Sequence, residues 1–480
     1  MEIVVVIVEA CIVIGAIVLG VRTGGIGLGL WGVVGTLILV FVFRLPPGSP
    51  PIDAFFIIIA VITASSAMQA AGGIDYLVSI ASKIIQRNPK RLTYVAPLVA
   101  FVFTVLSGTS NIFIALIPVI YETAYRNGQR PERALAAATV TSGLGITASP
   151  VSAAMAAYLV LIEAKGFTLP HVLLITIPSA IIACLVTSFV QQRVGKELKD
   201  DPVFRKRVEE GVVKVPAALQ ESLTAVGTDG ATGAAIPVAV AEKRGGGRSG
   251  RDAPTPIVHE VPPGGRTAAW IFMVGTLLVV IVGLFPALRP AFPDAEGKPV
   301  PLSMSIVIEM VMFTAALVII LVRRVKPSAV VEQPLLRAGF VAAVALFGIA
   351  WMADTFISAN EETIIKPLGE LIQANPLLLA VALFIVCGLT TSQSATTNTL
   401  IPIAIAAGLA PGVITAMWPS LIGVWLFPAN GGQIASVETD LTGSTKLTQV
   451  PIWHSFTIPM LVSWVAVVVS GLLIQLVIPA

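Results

Sequence analysis

Long runs of Val, Ile, Leu and Ala fill this chain, and charged residues collect in the short stretches between them. Apolar segments fall at 3–20, 26–43, 52–71, 92–106, 112–125, 134–164 and 168–190. After a polar stretch they resume at 267–288, 303–323, 335–352, 376–390, 397–409, 411–437 and 453–478. Most approach the ~20 residues that a helix needs to cross a bilayer core of about 30 Å. The short alternating segments of a membrane barrel are absent, so helices are the spanning element. The pattern predicts an all-α polytopic membrane protein. The first segment has an acid at position 2, no basic n-region and no small-residue cleavage site. It reads as a retained span, not a cleaved signal.

Four places depart from plain spans. Segments 92–106 and 112–125 are about 15 residues each, or about 22 Å of helix, short of a full crossing. They flank Ser-Gly-Thr-Ser-Asn at 107–111, and the spacing predicts a re-entrant hairpin with that stretch as its tip. The pair 376–390 and 397–409, joined through "TSQSATT", repeats the pattern. Each hairpin is followed by an overlong segment, 134–164 with "GITASPVSAA" and 411–437 with "LFPANGGQIAS". Pro150 and Pro428 each remove a backbone donor and clash with the preceding turn, so both segments read as broken helices.

Charge gives the orientation, because Lys and Arg concentrate on the cytoplasmic side. Residues 191–266 carry twelve of them and are assigned to the cytoplasm, with "SKIIQRNPKR" (82–91), "RNGQRPER" (126–133) and "RRVK" (323–326). The net acidic "DTFISANEETIIKPLGE" (354–370) fits the outside. These constraints put both termini outside and make the second hairpin enter from the side opposite the first. The expected organisation is two inverted-topology repeats, 1–190 and 267–480, each with a re-entrant hairpin and a broken helix. Between them, 191–266 reads as a cytoplasmic linker, opening with a short amphipathic helix and largely disordered after 213, where Gly, Ala and Pro dominate.

Composition agrees: 56% of the 480 residues are hydrophobic and 12% charged, with a mean hydropathy of +0.91. A formal net charge of +3 carries no nucleic-acid signal. Cys11, Cys184 and Cys387 lie far apart in apolar runs and read as small buried hydrophobes. His171, His259 and His454 stand in or beside loops, and no metal or nucleotide motif is present. No histidine or paired carboxylate is placed by the sequence beside the breaks, so no catalytic group, metal or cofactor is expected.

The polar breaks carry the candidate chemistry. Unwound backbone at membrane depth is costly unless it faces a cavity or other protein. Half-helix N-termini offer free N–H groups and a positive dipole end, which suit an anion. Ser, Thr and Asn add further donors. The candidate substrate contacts are Ser107, Gly108, Thr109, Ser110 and Asn111, then Thr147, Ser149 and Pro150. From the second half they are Ser392, Gln393, Ser394, Thr396, Thr397 and Asn398, with Asn430 and Gly431. Such hydroxyls also bond back to their own helix or join helices, which is the competing reading. Thr63, Ser65, Ser66 and Gln69 suit close helix packing more than a site. Asp354 reads equally as an outer-entrance or proton-coupling group and as a solvated helix end. Glu309 is an intramembrane carboxylate, though near enough to a helix end to snorkel. Topology alone accounts for Arg22.

Several stretches resemble the anaerobic C4-dicarboxylate transporter (Dcu) family. They are "RTGGIGLGLWGVVG" (22–35), "ITASSAMQAAGGIDYLV" (62–78), "SGTSNIFIALIPVI" (107–120), "GITASPVSAAM" (145–155), "DDPVFRKRVEEGVV" (200–213) and "GIAWMADTF" (348–356). The likeness runs along nearly the whole chain. It implies a bacterial inner-membrane protein that transports fumarate, succinate, malate and aspartate, typically by exchange. "SGTSN" and "SATTN" are also similar to the hairpin tips of the wider ion-transporter superfamily. The linker at 214–265 is longer than the family pattern, and the second hairpin and break follow it less closely than the first. The implied partners are a small dicarboxylate and the lipid bilayer, with no nucleic acid and with a homodimer left open. The alternatives are a sodium- or proton-coupled symporter of a related organic anion and, from another class, a membrane co-sensor or intramembrane enzyme.

Overall fold

The computed structural model describes residues 2–23, 25–220, 262–293, 298–360, 375–427, 430–447 and 452–478. Helix dominates. The first half contains α1 (Glu2–Thr23), α2 (Gly27–Phe41), α3 (Ile52–Ala70), α4 (Gly73–Arg87), α5 (Leu92–Ser107), α6 (Asn111–Arg126), α7 (Pro131–Thr147), α8 (Ala153–Glu163) and α9 (Leu169–Gln191). A short α10 (Pro202–Glu209) follows. The second half contains α11 (Gly265–Leu284), α12 (Met304–Arg323), α13 (Pro327–Val331), α14 (Pro334–Ala359), α15 (Leu377–Thr390), α16 (Gln393–Ala406), α17 (Pro411–Met417), α18 (Gly431–Thr439) and α19 (Thr457–Gln475). A 3-10 segment, Trp418–Trp425, continues α17, and a small antiparallel ribbon pairs 291–293 with 299–301.

Among the described residues, six helical stretches are long and apolar enough to cross a bilayer, in α5 with its preceding turn, α9, α11, α12, α14 and α19. Helices α15 and α16, of 14 residues each, are short of a full crossing, whereas α5 with its preceding turn is not. A further bent pair, α3 and α4, turns by 74° at Gly72, whose φ of +78° favours glycine. The apolar pattern missed α4. Its buried Leu77, Val78, Ala81 and Ile85 lie on one face and its charges elsewhere, so it is amphipathic and not a loop. Both predicted helix breaks are present: α7 stops at Thr147 before α8, and the 3-10 segment precedes α18. Pro428 and most of the acidic 354–370 and Gly-rich linker stretches lie outside the described residues.

Helices α5, α7, α9 and α19 pack together, as do α1, α2, α3, α12 and α14. The α2–α14 crossing is backbone on backbone: a Cβ at Gly348 would stand 1.8 Å from the Gly29 carbonyl oxygen. Only glycine permits that approach. The two halves meet through paired hydroxyls, Thr139 with Ser436 at 3.0 Å and Thr187 with Ser463 at 2.6 Å.

The segment after α9 is anchored by buried groups. Arg130 pairs with Glu132 at 2.6 Å and also with Asp201. Burial alone would lower the Arg130 guanidinium, but the two carboxylates hold it above its ordinary value. Glu132 also accepts from Ser455 at 2.5 Å, and its backbone N–H donates to Ser444. Asp440, 1% exposed, accepts from Thr442, Ser444 and Thr445. Arg207 of α10 donates to the Leu441 carbonyl. This network joins the start of α7, the segment around α10 and the loop after α18.

Candidate functional site

The site begins with how each break is held. The tip of the first hairpin turns at Gly108, with φ +70°, and a Cβ there would sit 2.5 Å from the Val151 carbonyl oxygen. The tip therefore rests directly on the gap between α7 and α8. Ser149 locks the contact by donating to the Val105 carbonyl at 2.7 Å, while Ser152 caps α8 by accepting from Met155 N–H. In the second hairpin the equivalent turn falls on Thr391, at φ +51°. A threonine in that region is strained by about 1–3 kcal/mol, a feature that clusters at functional positions. Ser392 caps α16 by accepting from Ala395 N–H. Asn430 caps α18 by accepting from Gly432 N–H, with Gln433 reaching back to the Asn430 N–H.

These pieces border a partly open cavity of about 300 Å³, lined among the described residues by Thr109, Ser110, Gly143, Ile146, Ala153, Ala154, Thr391, Ser392, Gln393, Ser394, Val424, Trp425 and Asn430. Four helices of eight or more residues begin at its wall: α6 after Ser110, α8 at Ala153, α16 at Gln393 and α18 after Asn430. None of those lining residues carries a formal charge. Four positive helix ends around an uncharged polar space favour an anion. Ser110 and Ser394 make no hydrogen bond to the described residues through their hydroxyls, so both are available to a ligand. Gln393 spans the halves, donating to the Gly143 and Leu421 carbonyls at 3.1 and 3.3 Å.

Of the residues singled out in the sequence, Thr109, Ser110, Ser392, Gln393, Ser394 and Asn430 come together at the cavity. Ser107, Thr147, Ser149, Thr396 and Thr397 turn their hydroxyls into the fold, onto the carbonyls of Thr109, Leu144, Val105, Ser392 and Gln393. They build the site without lining it. Gly108 and Pro150 lie in the supporting turns, Gly431 opens α18, and Asn398 is buried with no partner for its amide nitrogen among the described residues. Asn111 opens α6 next to Ser110.

The structure adds Gly143, Ile146, Ala153, Ala154, Thr391, Val424 and Trp425. Most are small or apolar and gave no polar signal in the sequence. One expectation fails: a histidine does lie beside a break, His454 Nε2 standing 3.2 Å from the Leu426 carbonyl. It is brought there by the turn into α19, which linear spacing does not reveal. Asp354 accepts from Ser49 N–H at 2.7 Å, and Thr355 accepts from Gly48 N–H. The end of α14 thus staples the Pro-rich loop before α3. Thr63 bonds back to Ile59, and Ser66 is fully buried, both away from the cavity. Cys184 and Cys387 are buried, whereas Cys11 is exposed.

The family model for the anaerobic C4-dicarboxylate membrane transporters matches residues 5–478. The chain belongs to that family. It is therefore a multi-pass membrane transporter and not an enzyme. It is 35% identical over 460 residues to the anaerobic C4-dicarboxylate transporter DcuB of Escherichia coli O6:H1, covering 95% of each chain. It is 35% identical to the C4-dicarboxylate transporter DcuA of Escherichia coli K12, covering 94% of this chain and 95% of that one. DcuA of Wolinella succinogenes is 33% identical, with 94% of each covered. Among solved structures, the YdaH transporter of Alcanivorax borkumensis matches with a TM-score of 0.52 at 12% identity, covering 88% of this chain and 84% of that one. That likeness concerns the fold alone.

Proposed function

We propose that this chain is a secondary transporter that exchanges C4-dicarboxylates, with fumarate, succinate, malate and aspartate as substrates, by alternating access. The observation that carries the reading is the uncharged cavity ringed by four helix N-termini. A dianion meets dipole ends and hydroxyls there, which hold it without the deep trap that a paired arginine would make. Its volume sits at the lower end of the range of small-molecule sites, about 300–1,000 Å³. The names of the relatives support the substrate class.

On this reading Thr109, Ser110, Ser392, Gln393, Ser394 and Asn430 contact substrate, with Asn111 beside them. Ser107, Gly108, Thr147, Ser149, Pro150, Thr396, Thr397, Asn398 and Gly431 shape the walls. The two hairpins belong to inverted repeats spanning 1–190 and 267–480. The segment between them faces the cytoplasm of a bacterial inner membrane, and both termini face the periplasm. Exchange follows because an empty cavity leaves four dipole ends without a counter-charge, so the unloaded carrier reorients poorly.

The test is counterflow of labelled fumarate into proteoliposomes loaded with single unlabelled organic acids. Exchange with C4-dicarboxylates and none with monocarboxylates is expected, and indifference to the internal acid would sink the reading. Replacing sodium by choline at fixed pH should leave the rate unchanged. Strict sodium dependence would replace exchange by symport.

A further inference from the structure

The cavity wall holds a polar group with no partner. Trp425 ends the 3-10 segment and is 2% exposed, and its indole Nε1 makes no hydrogen bond to the described residues. A buried donor left unpaired destabilises a fold, and native structures keep few of them. The ring's orientation is fixed from two sides. Its benzo edge lies against α18, where a Cβ at Gly432 would sit 3.4 Å from Cη2. Its N–H edge lies against Gly143, where a Cβ would come within 2.6 Å of Nε1. Gly143 and Trp425 both line the cavity, so the N–H edge lies within the cavity wall, packed against Gly143. The Gly143 carbonyl does not satisfy this donor; it accepts from Gln393. Any larger residue at 143 would drive the indole out of place.

The other tryptophan of this segment shows the contrast. Trp418 donates its Nε1 to Thr397 at 2.9 Å and stacks on Tyr158, a fully satisfied packing residue. Trp425 has the same burial without the partner. We propose that the Trp425 indole N–H is a substrate carboxylate donor, with the missing side chain at Gly143 allowing the indole to sit in the cavity wall. It supplies one directed hydrogen bond to a site otherwise built from helix ends and hydroxyls, and so helps fix which carboxylate geometry is accepted. This rests on the dicarboxylate reading above.

The test uses the full chain, purified in detergent and labelled with [15N]-indole tryptophan, titrated with succinate. The Trp425 signal is identified by its loss in Trp425→Phe or Trp425→Tyr. On binding, that signal should move downfield with saturation matching the calorimetric Kd, while the Trp418 signal stays in place. Trp425→Phe, which keeps an aromatic ring and loses the donor, should weaken succinate binding by about 10- to 100-fold, the range of a hydrogen bond to a charged group. Gly143→Ala should weaken it as well. A Trp425 signal that stays still while succinate binds the unmodified chain overturns the inference and leaves the dicarboxylate reading standing. Unmodified chain that binds no C4-dicarboxylate at all overturns both.

Discussion

At the scale of single residues, the site depends on which hydroxyls are spare. Ser110 and Ser394 line the cavity with no hydroxyl partner among the described residues, whereas Thr147 and Thr397 are committed to backbone carbonyls. Ser110→Ala and Ser394→Ala should each raise the KM for fumarate by about 2- to 10-fold, the worth of one ordinary hydrogen bond. Membrane insertion should be unchanged, as checked by counterflow normalised to the amount of folded carrier. Equal kinetics in both variants would remove them from the site. Arg130 makes the opposite case. Its side chain is buried between Glu132 and Asp201, so Arg130→Ala strands two carboxylates. A loss of about 3–5 kcal/mol is expected, read as a fall in unfolding temperature in detergent. Neutralising Glu132 and Asp201 together with it should recover part of that loss. The sequence showed the polar residues but could not separate spare from committed ones, because that depends on which carbonyl stands nearby.

At the scale of elements, the two hairpins solve one problem differently. The first turns on Gly108 and presses its bare backbone onto Val151. Gly108→Ala would add strain at a positive φ and a clash with a carbonyl, so it should abolish exchange and expose the tip to protease. The second turns on Thr391 at φ +51°. Thr391→Gly should relieve that strain and raise stability by about 1 kcal/mol, measured by thermal unfolding. No gain would mean that the threonine side chain offsets its own strain. The hairpins and helix breaks were legible beforehand because small polar residues and prolines interrupt apolar runs in so few places. Helix α4 was not, since its buried face is spread among Lys83, Arg87 and other polar positions and fails a test for apolar runs. Trp425 and Gly143 were hidden for a different reason. An aromatic or a glycine in an apolar segment looks like packing until the fold sets it beside a cavity.

At the scale of the whole molecule, the division into halves is crossed repeatedly by buried polar pairs. Arg207 and Asp201, just after the first half, reach Leu441 and Arg130. The part of the central segment up to residue 213 is therefore built into the carrier. Removing 221–261 should leave exchange intact, while removing 198–209 should not. Transport measured on both deletions at matched membrane levels checks this. Loss of activity in the first would give the Gly-rich stretch a role that its composition does not suggest.

The uncharged lining of the cavity also has an electrical consequence. With no lysine or arginine among the described lining residues to travel alongside it, a bound dianion carries its full two charges through the membrane field. Unidirectional uptake against an inside-negative potential of 100 mV would then cost about 4.6 kcal/mol, at about 2.3 kcal/mol per elementary charge. Swapping one dianion for another moves no net charge. Fumarate–succinate exchange on a solid-supported membrane should therefore give no steady current and no dependence on an imposed potassium diffusion potential. Exchange of a dianion for monoanionic aspartate should carry one charge per turnover and respond to voltage. The same cavity would thus run silently or as a current source, according only to which acid waits on the other side.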